Sequence, residues 1–185
     1  MKKTVLTFGL ISGVVSSVLM LFTALLLDRI GFDKGVIVGY TAIVLSFLLV
    51  FFGIRSYREN VGDGQITFGR ALSVGLLITL ISSVCYVVTW EIVYFKLWPG
   101  FAEKYTNYVV DQVRASGASQ QVIDAKVQEM SNMKAWYDNP LINAAFTFVE
   151  PFPIGLLVSL VSAAILRRRK PKDREELVTE PLASS

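Results

Sequence analysis

Long apolar runs alternate with short polar breaks along this chain. Residues 5–27, 36–54, 71–95 and 141–166 carry only Glu91 and Glu150 as charged residues. Each run is near the roughly 20 residues that an α-helix needs to cross a hydrocarbon core about 30 Å thick, so four spanning helices are expected. The first run follows Lys2 and Lys3 and looks superficially like a secretory signal. It exceeds the roughly 7–15 apolar residues of a signal core and has no small-residue cleavage site before Asp28, which predicts a retained helix. Arg55 and Arg58 close the second run. Trp90, Tyr94 and Trp98 form an aromatic belt at the far end of the third, and Arg167, Arg168, Arg169 and Lys170 stop the fourth.

Between the third and fourth runs, residues 99–139 change period. Phe101, Tyr105, Tyr108, Val109 and Val113 recur at helical spacing, as do Ile123, Val127, Met130, Met133 and Tyr137 after a break at Ser116, Gly117 and Ser119. This predicts an amphipathic helical hairpin lying on the outer ends of the spans or among the headgroups, with Trp136 at its base. The expected fold is therefore an all-α integral membrane protein. It is a four-transmembrane-helix bundle with an extracytoplasmic amphipathic hairpin between helices 3 and 4. One domain covers residues 1–170, and a disordered cytoplasmic tail covers 171–185.

Composition agrees: 53% of the 185 residues are hydrophobic, above the usual share for a soluble domain. The net charge of only +3 conceals an asymmetry. Of the 18 Lys and Arg, Lys2, Lys3, Arg55, Arg58, Arg70, Arg167, Arg168, Arg169, Lys170, Lys172 and Arg174 fall on one side of the expected bundle, leaving seven for the other. The positive-inside rule then places both termini in the cytoplasm, with a bacterial inner membrane as the expected location. These basic residues hug membrane ends, so they read as topology anchors and contacts to anionic lipid rather than as a nucleic-acid surface.

The inventory of reactive groups is short. There is no histidine and a single cysteine, Cys85, which leaves no disulfide framework and no Cys-based or His-ligated metal site, and no cofactor is expected. The glycines around Asp63 fit neither the dinucleotide fingerprint nor the Walker pattern. Thr67 instead suits the N-cap of the third helix. Glu91 and Glu150 are the candidate proton or ion site, because intramembrane carboxylates are costly and two at similar depth share protons or hold a cation. The plainer reading has Glu91 reaching the interface near Trp90 and Lys96, with Glu150 bonded to backbone at a helix end. Pro151 and Pro153 remove the amide partners of the Thr147 and Val149 carbonyls, so the fourth helix is expected to break there or to kink. Small residues recur at every fourth position as Gly9, Gly13 and Ser17, as Gly75, Thr79 and Ser83, and as Gly155, Ser159 and Ala163. Such ribbons serve close helix packing, within the bundle or between two copies of the chain.

Three motifs in order carry a family resemblance: Phe51-Phe52-Gly53-Ile54-Arg55-Ser56-Tyr57-Arg58, Gly64-Gln65-Ile66-Thr67-Phe68-Gly69-Arg70-Ala71 and Glu150-Pro151-Phe152-Pro153-Ile154-Gly155. The chain resembles the bacterial family catalogued as domain of unknown function 4199. That resemblance implies four spans and supplies no activity or site residues. The expected role is an accessory or interaction subunit that uses the outer hairpin as a contact surface for a protein partner. The alternative is a small proton- or cation-coupled transporter or channel subunit working through Glu91 and Glu150. No catalytic constellation stands out, so an enzyme is the least expected class.

Overall fold

The computed structural model describes residues 1–168, and its regular structure is helical. Helices α1 (Lys2–Asn60), α2 (Phe68–Ile92), α3 (Phe101–Ala115), α4 (Gln120–Tyr137), α5 (Pro140–Val149) and α6 (Pro151–Leu166) follow in order, and a π-helical turn over Val93–Leu97 extends α2. Three stretches are long and apolar enough to cross a membrane: Lys2–Asn60, Phe68–Leu97 and Pro140–Leu166. Arg169, Lys170 and the tail over 171–185 lie outside the described residues.

The 59-residue α1 is not a single rod. Gly31 adopts φ 77° and ψ 164°, a region open essentially to glycine. Beyond it the chain runs back, because the Ser12 hydroxyl donates to the Ser46 carbonyl at 3.0 Å, whereas 34 residues of straight helix would separate these groups by roughly 50 Å. The two arms of α1 are thus antiparallel. Next, α2 runs beside the first arm in the same direction: Gly9 faces Ile81, Gly13 faces Cys85, and Ser17 accepts a hydrogen bond from Thr89. It runs opposite to α6, with Gly75 against Ser159 and Gly155 against Thr79.

These contacts explain the small-residue ribbons, since all three face inward. A Cβ on Gly13 would stand 2.7 Å from the Cys85 side chain, and one on Gly155 would stand 2.3 Å from Thr79 Cγ2. Hydroxyls fill the same seams. Ser12 and Ser82 lie 3.0 Å apart and Thr79 and Ser159 3.2 Å apart, all but fully buried. Large apolar residues are turned outward instead: Leu6, Leu10, Val14 and Val18 on α1, Val84, Val88 and Ile92 on α2, and Leu157, Val161 and Ile165 on α6 are exposed. Glycines and hydroxyls along the seams, beside a packed core of Phe47, Val50, Ile54, Val74 and Ile78 and inside a coat of exposed apolar side chains, suit a lipid surround, where close packing drives association.

The end of the bundle holding the Arg-Ser-Tyr-Arg motif is latched. Tyr57, only 3% exposed, accepts a hydrogen bond from Arg70 Nε at 3.1 Å. Arg58 is mostly covered and reaches the Leu166 carbonyl at 3.5 Å, where a cation complements the C-terminal end of α6. Ile66 and Arg168 exchange two backbone hydrogen bonds. Arg58 and Arg70, expected to face lipid phosphates, also join helices of the same chain, while Arg55 stays at the surface paired with Glu59. Thr67 caps α2 as expected, accepting from the Arg70 amide at 3.4 Å.

The prolines produce a joint rather than an unwound segment. Glu150 connects α5 and α6 with φ −68° and ψ −61°, inside the helical region, so the expected break is a kink. Pro151 is buried and Pro153 exposed on either side of Phe152.

Close packing along the ribbons predicts that Gly13→Val lowers the unfolding midpoint in detergent, at a cost of about 1–3 kcal/mol for an overpacked contact. Gly69→Ala is the matched control, since a Cβ there meets nothing within 4 Å. Equal midpoints for the two variants would show that this seam does not govern stability.

Candidate functional site

The α3 and α4 helices close one end of the bundle. Phe32, in the turn of α1, packs against Phe101, Tyr105 and Tyr108 with ring centroids 6.0, 5.4 and 4.9 Å away. Two polar ties flank this contact: Lys104 Nζ lies 3.0 Å from the Asp28 carboxylate, and the Tyr108 hydroxyl donates to Asp33. That donated bond holds the Tyr108 hydroxyl above its ordinary pKa. Gly117, with φ 76°, turns the chain between α3 and α4. The α4 stripe then supplies buried Met130 together with Met133 and Tyr137. Asn139 starts α5 by accepting from the amides of Leu141 and Ile142, with Pro140 in the first turn, where its missing N–H costs nothing.

Under this cap lies a half-enclosed cavity of about 340 Å³. Its upper wall is aromatic: the Trp90 ring is 5.1 Å from Phe101 and 6.0 Å from Tyr94, which in turn is 6.3 Å from Tyr137. Its charged lining groups are Lys134 and Glu150. Lys134 is neutralised by Asp138 at 2.9 Å, which raises the ammonium pKa. Glu150, at the α5–α6 joint, accepts from the Tyr86 hydroxyl at 3.3 Å and has no Lys or Arg partner among the described residues.

Beside the cavity, Asn143 is fully buried and joins three elements. Its Oδ1 accepts from Trp90 Nε1 at 3.0 Å and from Thr147 Oγ1 at 3.1 Å, and its Nδ2 donates to the Tyr137 carbonyl at 3.0 Å. This amide fixes the plane of the Trp90 indole and ties α5 to α2 and to the end of α4.

The structure treats the two candidate acids differently. Glu150 borders the cavity, whereas Glu91 does not line it, and Glu91 Oε1 is buried without a hydrogen-bond partner. No hydrogen bond links the two, so Glu150 forms its site with Tyr86 instead. Among the described residues, no group of three or more Cys, Asp or Glu side chains converges as a metal site would require. Arg167 is exposed at the end of α6, and Arg168 is held by its backbone pairing with Ile66. Tyr86 and Asn143 escaped the reading of the sequence, whereas Tyr57 stood there within the Arg-Ser-Tyr-Arg motif. Of the two that escaped, Asn143 alone left a signal, as a lone amide within an apolar run.

The family described as "Protein of unknown function (DUF4199)" matches residues 7–168. No curated protein and no solved structure matches the chain.

Replacing Asn143 with leucine should cost roughly 1–3 kcal/mol, because it strands the Trp90 N–H and other buried groups. Glu91→Gln should leave the midpoint unchanged or raise it, since it removes a carboxylate whose charge is expensive in apolar surroundings. Thermal unfolding of both purified variants tests the pair, and the reverse ranking would contradict it.

Proposed function

The chain belongs to the family described as proteins of unknown function, DUF4199, and for this member we propose a membrane-embedded binding role, in which the cavity holds a small amphipathic molecule. The observation that carries the proposal is a cavity of about 340 Å³ with an aromatic wall and one unpaired carboxylate. Ligand sites have this makeup, mostly apolar with a few fixed polar groups, and volumes of roughly 300–1,000 Å³. In this reading α3 and α4 act on their own bundle more than on a protein partner. Phe101, Tyr105, Met130 and Tyr137 from their apolar stripes line the cavity instead of facing outward.

The membrane arrangement is part of the proposal. The two arms of α1, then α2, then α5 with α6 make four crossings of a bacterial inner membrane, with both termini cytoplasmic and α3–α4 outside. Alternating helix direction supports this count, as does the gathering of Arg55, Arg58, Arg70, Arg167 and Arg168 at one end. An ion-coupled role remains the second reading, favoured by the position of Glu150 at the foot of the cavity. Glu91, the other acid of that reading, does not line the cavity.

Two measurements test these statements. In intact cells, Ser119→Cys should react with a membrane-impermeant maleimide and Asp63→Cys only after permeabilisation, both in a Cys85→Ala background; labelling of both in intact cells defeats the topology. For the cavity, a panel of small amphipathic compounds should change the emission of Trp90 and Trp98 saturably, and Tyr137→Ala should weaken the response several-fold. A panel that leaves emission unchanged, with the protein folded, removes the binding role.

A further inference from the structure

We propose that the cavity's ligand is an organic cation, an ammonium group bearing apolar substituents, with Glu150 as its counter-ion and the aromatic wall as its cage. The inference rests on the binding role above and narrows its chemistry.

The charge balance points this way. Lys134 at the cavity wall is matched by Asp138, and Lys104 at the rim by Asp28. That leaves the Glu150 carboxylate as the one lining charge without an opposite partner among the described residues. Tyr86 donates to Oε2, and the hydrogen bonds place no donor on the second oxygen. Glu150 is exposed at the cavity wall within an apolar span, where a carboxylate is costly unless paired, and a bound cation supplies the missing pair. An anionic ligand would add like charge at the same place, and a neutral one would leave the carboxylate as it is.

The aromatic groups supply the second half of the argument. Tyr94 lies 6.0, 6.4 and 6.3 Å from Trp90, Phe101 and Tyr137, and Trp90 lies 5.1 Å from Phe101, so the four rings form one contiguous aromatic wall. Aromatic faces attract cations within about 6 Å of the ring centroid, and substituted ammonium groups are recognised in this way. The cluster already receives one cation at its rim, where Lys104 Nζ stands 5.2 Å from the Trp98 centroid. The buried Asn143 holds the Trp90 indole in place, so the cage is organised before a ligand enters. The same chemistry is offered by a free amine and by the headgroup of an amino lipid.

The test uses a pair of probes of nearly identical shape: benzyltrimethylammonium and its neutral isostere neopentylbenzene, titrated against the full-length protein in phosphatidylglycerol nanodiscs and followed by tryptophan emission. The cation should bind at least tenfold more tightly than the isostere. Glu150→Gln should abolish that preference. Equal binding of both probes to wild type overturns the cation assignment while the binding role stands. Binding of neither removes the binding role itself. The comparison on wild type decides the matter even where Glu150→Gln fails to fold. Adding phosphatidylethanolamine to the discs identifies the source: competition with the probe supports a lipid headgroup as the natural cation, and unchanged affinity supports a free amine.

Discussion

The structure depends on how closely its helices approach one another. Gly9 and Gly13 let α2 lie against the first arm of α1, and Gly75 and Gly155 let it lie against α6. At these distances the Ser12–Ser82 and Thr79–Ser159 hydroxyl pairs form across the seams. In a lipid environment apolar burial gives little reason for helices to associate, because lipid tails are as apolar as leucine. Dispersion across smooth, close surfaces and a few satisfied hydroxyls must hold the bundle. Many large apolar side chains cover the exterior, while Phe47, Val50, Ile54, Val74 and Ile78 fill the space between the helices.

Close approach cannot hold along the whole bundle. Toward the end closed by α3 and α4, the α2 positions that follow the ribbon are Tyr86, Trp90 and Tyr94, and bulky side chains there line a cavity instead of a seam. The same helix thus packs tightly through Gly75 and Thr79 and lines a cavity two turns later. The π-helical turn at Val93–Leu97 and the cap over Phe32 complete that end, while the Tyr57–Arg70 bond and the Ile66–Arg168 pairing close the other. A tight middle, a latched end and a hollow end give a rigid frame with one place where a small molecule fits.

The two acids illustrate why an intramembrane charge is a prompt for a question and not an answer. Both stand out in the sequence for the same energetic reason. Glu150 meets a tyrosine hydroxyl and open space, whereas Glu91 has a buried oxygen and no partner. Their difference arises from which faces of α2 and α5 meet, and that depends on helix rotation within the bundle.

The sequence by itself determined the elements. Apolar run lengths gave the long helices, the change of period over residues 99–139 gave α3 and α4 with a turn at Gly117, Thr67 gave a helix start, and the three motifs pointed to the family that residues 7–168 match. These features are local, written in spacing and in the dihedral preferences of single residues, so they can be read along the chain. Tertiary structure alone decided that the three ribbons all face inward, that Arg58 and Arg70 bind their own bundle, and that Tyr86, not Glu91, accompanies Glu150. Each of these depends on the rotation and depth of one helix against another. In a helix that is apolar all round, periodicity singles out no face, so the sequence leaves that rotation open and packing fixes it.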